Sequence, residues 1–272
     1  MASRTVVITG ASDGIGAAAA RALAAGGDRV VVVGRSPEKT RAVAESIGAD
    51  HLLADFSRLD DVRELASTLL DRYPAVDVLA NNAGGLMGDR TETVDGHELT
   101  FQVNHLAPFL LTSLLLPRLI ESRARIIQTS SVAHRLYSAL DLADLDARTS
   151  YRAERAYGNA KLANILFTRE LHRRFHAQGI SATAFHPGVV ATGFARGSKS
   201  GLRLLYGTVL NRFIASPAKG ADTLVWLATA PEGEGWTSGG YYARRKPGKE
   251  SKDAGDAAKA AELWRLSEQM VA

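Results

Sequence analysis

The chain of 272 residues contains no cysteine. Disulfides, thiolate zinc sites and cysteine nucleophiles are excluded by that absence, and a reducing compartment, the cytoplasm, is the expected location. Long apolar runs are also lacking. No stretch reaches the ~18 uninterrupted apolar residues of a membrane-spanning helix. The most apolar segment, residues 106–120, contains two prolines and reads as a buried helix, so no membrane span is expected. The early run Thr5-Val6-Val7-Ile8 is too short for a signal peptide and leads directly into a glycine turn. Charge of one sign is scarce: 33 Lys and Arg stand against 29 Asp and Glu, a net charge of +4. These charges are dispersed, and only residues 244–252 are locally basic, which reads as a solvated surface; no nucleic-acid partner is expected. The seven histidines form no close pair or cluster with acids, so no metal site is expected. Internal repeats and low-complexity linkers are absent, and residues 1–272 read as one domain.

What is present is an alternation of apolar β-branched runs with helical patterns. Strands are expected at residues 5–9, 29–33, 51–54, 76–80, 125–129, 180–185 and 239–243. Helices are expected at 17–25, 37–47, 59–72, 99–119, 155–177, 202–213, 218–230 and 254–270. The helix at 59–72 shows the spacing most clearly, with Leu59, Val62, Leu65, Ala66 and Leu69 on one face. Strands alternating with helices imply βαβ units. The expected fold is therefore α/β, a single-domain Rossmann fold: a doubly wound, mainly parallel sheet with helices on both faces.

The first strand runs into Thr9-Gly10-Ala11-Ser12-Asp13-Gly14-Ile15-Gly16 and then an alanine-rich helix. A glycine turn in this place lets the backbone approach a pyrophosphate lying against a helix N-terminus. At the end of the second strand an NAD site carries an acid that accepts from the ribose 2′-OH. Here Gly34 is followed instead by Arg35, whose guanidinium suits a 2′-phosphate. NADP(H) is the expected cofactor, with NAD(H) the alternative. Asp13 argues the other way, because an acid in the turn lies near the adenosine ribose and would repel a phosphate.

This arrangement resembles the short-chain dehydrogenase/reductases over nearly the whole chain. The turn Thr9 to Gly16 is similar to that family's TGxxxGxG. Asn81-Asn82-Ala83-Gly84 is similar to its NNAG, and Tyr157-Gly158-Asn159-Ala160-Lys161 to its YxxxK. His186-Pro187-Gly188-Val189-Val190-Ala191-Thr192 is similar to the segment that cradles nicotinamide. The runs Ser130-Ser131-Val132-Ala133-His134 and Tyr157 to Asn164, with 26 positions from Ser131 to Tyr157, resemble the retinol-dehydrogenase and carbonyl-reductase branch. The resemblance implies cofactor contacts at Gly10, Ser12, Asp13, Gly14, Ile15, Gly16, Arg35, Asp55 and Phe56. It implies further contacts at Asn82, Ala83, Gly84, Tyr157, Lys161, Pro187, Gly188, Val190 and Thr192.

It also implies a catalytic set of Asn104, Ser131, Tyr157 and Lys161. Tyr157 and Lys161 lie four apart on one helix face. A free tyrosine has a pKa of ~10, and a neighbouring ammonium lowers it, so the hydroxyl can donate or accept a proton near neutrality. Lys161 is also implied to hold the ribose hydroxyls. Ser131, chosen over Ser130 by family register, would donate to the substrate oxygen. Asn104 would complete a water-mediated proton path to Lys161. Singly, each of these residues has an ordinary structural explanation as a surface pair, a cap or a buried polar group; together they point to catalysis.

The expected activity is interconversion of a ketone or aldehyde with an alcohol, driven by NADPH. A catalytically silent NADP-binding sensor is the alternative, although such a protein would be expected to lose Tyr157 or Lys161. The small-molecule carbonyl or alcohol substrate would meet loops at about 134–151 and 189–215, which carry Leu136, Tyr137, Phe194, Leu202, Leu205 and Tyr206. A fairly large apolar substrate is expected. The glycine-rich segment 189–200 is expected to close as a lid. A homo-oligomer is compatible with this fold.

Overall fold

The computed structural model describes residues 3–188 and 216–272. The expected helix at 202–213, the lid at 189–200, Val190 and Thr192 lie outside the described residues. Within them, eight strands form one sheet: β1 (Thr5–Thr9), β2 (Arg29–Gly34), β3 (Asp50–Leu53), β4 (Val78–Asn81), β5 (Arg125–Thr129), β6 (Ser181–His186), β7 (Tyr241–Ala243) and β8 (Lys246–Pro247). Their order is β3-β2-β1-β4-β5-β6-β7-β8. Every neighbouring pair is parallel except β7 and β8, which form an antiparallel hairpin.

Successive strand residues face opposite sides, and both sides are apolar because both are covered. Val7, Val31, Val33 and Leu79 face one core. It is closed by α3 (Leu59–Arg72), α4 (Leu99–Glu121), α6 (Ala153–Phe175) and α8 (Ala257–Met270). Val6, Ile8, Val30, Val32 and Val78 face the other. It is closed by α1 (Gly14–Ala25), α2 (Pro37–Glu45) and α7 (Pro217–Thr229). A short α5 (Ala133–Leu136) follows β5. The chain is thus a Rossmann-type α/β domain. Its strand order reverses between β1 and β4, and their carboxyl ends open the crevice where such sheets bind ligands.

Two departures from the expected elements bear on the site. First, α4 is not a uniform α-helix: Gln102–Leu106 forms a π-helical turn inside it. By length and composition α4 could cross a membrane, but most of it is buried in the core. Second, the locally basic stretch is mostly exposed, as expected of a solvated surface, but its first residues form a hairpin. Arg244 and Arg245, both with left-handed backbone (φ 54° and 58°), turn the chain from β7 into β8. The Arg245 guanidinium then pairs with Asp222 of α7, and its backbone N donates to Thr223 Oγ1 at 3.3 Å.

Candidate active site

The glycine turn is held from behind by β4. Thr9 Oγ1 accepts from the backbone N of both Asn82 and Ala83 at 3.0 Å. The Asn82 amide donates back to Thr9 O at 3.0 Å and Gly10 O at 3.3 Å. Gly10 and Gly14 both have left-handed φ, +64° and +54°. A Cβ on Gly10 would lie 2.7 Å from Ala83 Cα, and one on Gly16 would lie 2.4 Å from Gly10 O. Any larger residue at either position would push the turn away from Asn82 and Ala83. Asp13 caps α1, its carboxylate accepting from Gly14 N at 2.8 Å.

Beside the turn lies the end of β2. Ala11 N donates to Val33 O at 2.9 Å, and a Cβ on Gly34 would meet Ser12 Cβ at 2.8 Å. Arg35 follows and is exposed. Lys39, one turn into α2, brings its Nζ to 3.1 Å from Asp13 Oδ2. Asp55 closes the loop after β3 by accepting from Ser57 N at 3.0 Å and Ser57 Oγ at 2.8 Å, and Phe56 beside it is buried.

On the other side of the crevice, three elements converge on the buried Lys161. A Cβ on Gly84 would fall 2.4 Å from Asn104 Oδ1 and 3.2 Å from Lys161 Nζ. Asn104, in the π-helical turn, accepts from Gly85 N at 3.1 Å. Its amide donates to Gly85 O at 2.9 Å and Thr100 O at 2.8 Å. Lys161 Nζ donates to Thr129 O at 3.0 Å and sits 5.3 Å from the centre of the Tyr157 ring. Lys161 is only 2% exposed and Tyr157 only 7%. Burial pushes the Lys161 ammonium down to about 7. A Cβ on Gly158 would lie 2.9 Å from Ala133 O and Ser138 N, so α6 packs directly on the chain around α5.

The two serines after β5 separate. Ser130 is buried and donates from Oγ to Lys161 O at 2.7 Å. Ser131 is partly exposed, and its Oγ accepts from Ala133 N at 3.2 Å. At the end of β6, His186 Nδ1 accepts from Gly188 N at 3.3 Å, and burial pushes that imidazole down to about 4. Pro187 and Gly188, the latter with φ +87°, leave the strand at the same edge of the sheet. Of the stretch 134–151, Leu136 and Tyr137 stand 57% and 42% exposed near Tyr157. The rest folds back: Tyr151 Oη donates to Gly88 O at 2.9 Å, and Glu98 N donates to Asp146 Oδ1 at 3.0 Å.

With this geometry, the sequence pattern of the family described as short chain dehydrogenase matches residues 4–202. This chain belongs to the short chain dehydrogenase family. A Streptomyces sp. (strain C5) protein named "Putative daunorubicin C-13 ketoreductase DnrU" is 47% identical over 271 residues, covering 97% of this chain and 91% of that protein. Retinol dehydrogenase 14 of Mus musculus is 38% identical over 291 residues, covering 100% of this chain and 86% of that protein. Among solved structures, an uncharacterized protein from Mycobacterium Paratuberculosis aligns with TM-score 0.80 at 35% identity, over 99% of this chain and 94% of that one. A Shigella flexneri short chain dehydrogenase complexed with NADP aligns with TM-score 0.67 at 25% identity, over 88% and 95%. The chain is therefore an oxidoreductase of the retinol-dehydrogenase-like branch.

Sequence reasoning missed two parts of this short chain dehydrogenase site. Lys39 went unnoticed, although Pro37 opens a helix just after Arg35 and Lys39 stands in its first turn. Glu98 was missed as the cap of α4: its two carboxylate oxygens accept from Thr100 N and Phe101 N, each at 2.8 Å. It fixes where the helix that carries Asn104 begins.

Proposed function

We propose that this oxidoreductase uses NADP(H) to interconvert a ketone or aldehyde and an alcohol on a fairly large apolar substrate, with Tyr157 donating or accepting the proton. The observation that carries the reading is the buried Tyr157 and Lys161 pair, with the ammonium 5.3 Å from the ring, across the crevice from a glycine turn packed so closely on the chain after β4 that Gly10 and Gly16 leave no room for a Cβ. The residues present fit a dinucleotide. Gly10, Ser12, Gly14, Ile15 and Gly16 would receive the pyrophosphate, Asp55 and Phe56 the adenine, and Pro187 and Gly188 the nicotinamide. Arg35 and Lys39 supply cations on the adenosine side for a 2′-phosphate. When bound, the cofactor would supply or accept the hydride.

The protein's own work is proton transfer and positioning. In reduction, the Tyr157 hydroxyl gives its proton to the carbonyl oxygen as negative charge develops there. Lys161 in its charged form favours the phenolate left behind. Because burial brings that ammonium to about 7, its charge is set by small changes near neutral pH. Ser131 Oγ accepts from Ala133 N, which leaves its own proton to donate to the substrate oxygen. Asn104 has its side chain committed to Gly85 and Thr100, so it acts by fixing the helix wall beside Lys161, from which a water-mediated proton path would leave.

Leu136 and Tyr137 support an apolar substrate, since large exposed apolar side chains beside a catalytic cleft are a binding surface. The relatives point the same way: one is named for a ketone of daunorubicin and another for retinol. The test is to mix the purified protein with NADPH or NADH and a panel of carbonyls, from small aldehydes to retinal and polycyclic aromatic ketones, while following nicotinamide absorbance. The expected result is turnover of the large apolar members with NADPH favoured. Turnover confined to small polar aldehydes, or a preference for NADH, would overturn the corresponding part.

A further inference from the structure

We propose that Asn164 is a positioning residue for Lys161: the two side chains share one backbone acceptor, Thr129 O, and His105 behind Asn164 ties that arrangement to the last helix, α8. The inference rests on the reading above, in which the Lys161 ammonium serves the proton transfer at Tyr157, and it adds the residues that hold that ammonium in place.

Asn164 lies three residues after Lys161 on α6, so the two side chains leave the same face of the helix. Both are buried, each 2% exposed. Lys161 Nζ donates to Thr129 O at 3.0 Å, and Asn164 Nδ2 donates to the same oxygen at 3.2 Å. A carbonyl oxygen has two lone pairs and can take both donors. The second donor limits where the first can sit, because the carbonyl at the end of β5 cannot swing with the lysine without losing the amide. The Asn164 amide also meets His105, in the π-helical turn next to Asn104. Burial pushes the His105 imidazole down to about 4, and the Asn164 side chain acts in the opposite direction, as an acceptor facing the ring does. Neither Asn164 Oδ1 nor His105 Nδ1 has a hydrogen bond elsewhere. His105 Nε2 lies 2.9 Å from Ser267 Oγ of α8. The ring is wedged among Phe101, Phe109 and Phe167, with centroids 5.0, 6.1 and 6.0 Å away.

A run of neutral polar groups thus reaches from α8 through the core to the oxygen that receives the lysine. The titratable side chains near the ammonium are Tyr157, one turn back on α6, and, beyond Asn164, His105 of α4, which is neutral above about 4. Thr129 at the end of β5, Gly84 after β4 and Asn104 of α4 present only backbone or amide atoms. Burial pushes the ammonium down to about 7, and no carboxylate among the described residues opposes it. A charge placed on residue 164 would therefore act on Lys161 alone. Because both donors reach one oxygen, no more than about 6 Å separates them, the range in which one charge moves the titration of another.

Asn164→Asp keeps the size of the side chain and adds a negative charge. The titration of Lys161 is followed in the full-length, cofactor-free protein by NMR of lysines labelled with carbon-13 at the ε position, its signal being the one that Lys161→Met removes. Asn164→Asp is expected to make Lys161 titrate about 1–3 pH units higher than in the wild type. With NADPH and a carbonyl substrate, the loss of kcat on the alkaline side should move up with it, while KM for NADPH changes less than about twofold. Asn164→Leu removes the amide and leaves an apolar side chain in its place. It is expected to lower kcat about tenfold with KM little changed, since a small displacement of a catalytic group is enough for that. Ser267→Ala reads the tie to α8: it should lower kcat about twofold to threefold in the wild type and have no further effect beside Asn164→Leu. If the Lys161 titration does not move in Asn164→Asp, the positioning is refuted while the proposed function stands. Should Asn164→Asp not fold, an unchanged kcat in Asn164→Leu refutes it instead. A titration that moves while the pH profile of kcat stays in place means that the Lys161 charge does not serve the proton transfer; that part of the proposed function falls, and this inference falls with it. Fully additive effects of Ser267→Ala and Asn164→Leu on kcat refute the tie to α8.

Discussion

The two ends of the crevice are built on opposite principles. At the β4, β5 and α6 end, the polar side chains are buried and committed: Lys161 to Thr129 O, Asn104 to Gly85 and Thr100, Ser130 to the Lys161 carbonyl. At the β1 and β2 end, Arg35, Lys39 and Asp13 stand in solvent, and Lys39 pairs with Asp13. A buried polar group with fixed partners transmits any displacement to its neighbours and keeps its electrostatics at any ionic strength. An exposed charge does neither, and contributes by sign and proximity alone. Under the proposed function, the proton donor would sit where packing is tight, and discrimination between the two cofactors would be left to replaceable surface charges.

The comparison breaks first if Tyr157 is dispensable. Tyr157→Phe removes the transferable proton and keeps the ring packed against Leu86 and Ala133. Losing a general acid or base typically lowers kcat by ~10²–10⁴-fold. Cofactor affinity, measured by fluorescence titration, should change far less. Retained kcat would remove the catalytic end from the comparison altogether.

Lys161 sharpens it through pH. The ammonium is at about 7 in the folded protein against 10.5 in the unfolded chain. Between those values the unfolded state binds more protons, so this residue makes stability rise with pH across that window. Below the folded value both states are protonated and the penalty is at its largest; above 10.5 it vanishes. Lys161→Met should therefore gain stability relative to the wild type as pH falls from 10.5 toward 7, by up to about 1.4 kcal/mol per unit of pH. Denaturant unfolding of both cofactor-free proteins across that range measures it. A gap that does not vary with pH means that burial does not penalise the ammonium.

The same contrast decides how much could be read in the sequence. The expected bounds of β1, β5 and α3 coincide with the observed Thr5–Thr9, Arg125–Thr129 and Leu59–Arg72, because the strands are short β-branched runs and α3 repeats Leu59, Val62, Leu65, Ala66 and Leu69 on its buried face. The fourth strand was expected two residues early. Asp77 leads into it, its backbone bonded to Thr5 and Arg125 and its carboxylate accepting from Thr5 N at 2.7 Å, and the strand runs on through Asn81, whose amide reaches Thr112 Oγ1 at 2.9 Å. Single-residue polarity could not show that partner. The π-helical turn around Asn104 was harder to see: Leu106, Phe109 and Leu110 keep α-helical spacing, and only the gap of five from Phe101 to Leu106 marks the widened turn. The hairpin at Arg244 and Arg245 carries none of the Gly or Asn that would signal left-handed backbone. In the site, the motifs named the glycine turn, Ser131, Tyr157 and Lys161, and the fold brings them to one edge of the sheet. The Lys39 and Asp13 pair spans 26 positions and needed the register of β1 against β2 to be seen.

Gly84 tests how tightly the catalytic end is coupled. A Cβ there would lie 2.4 Å from Asn104 Oδ1 and 3.3 Å from Asn104 Cγ, and neither can retreat while Asn104 holds Gly85 and Thr100. Gly84→Ala should destabilise the protein by about 1–3 kcal/mol, the usual range for overpacking, and should lower kcat at temperatures where the protein remains folded. Unfolding curves and initial rates measured together check it. A variant that loses stability but keeps kcat would mean that Asn104 serves the fold and not the reaction.

Arg35 tests the exposed end. Arg35 is exposed at the end of β2, where an NAD site would carry an acid, and the exposed Lys39 stands one helical turn further on. Arg35→Asp removes one of two cations suited to a 2′-phosphate and adds an acceptor for a ribose 2′-OH. Because Lys39 remains, and because water screens both charges, the NADPH to NADH ratio of kcat/KM should fall by about tenfold to a hundredfold, with most of the fall coming from the KM for NADPH. Stability should hardly move, as surface substitutions away from caps and cores usually stay within about 0.5 kcal/mol. Raising the salt should shrink the effect of Arg35→Asp and leave the effect of Tyr157→Phe where it was. That pairing is the sharpest form of the comparison, since one assay at two ionic strengths reads both ends. Equal salt sensitivity of the two variants would show that the cofactor-selective end is not governed by screened surface charge.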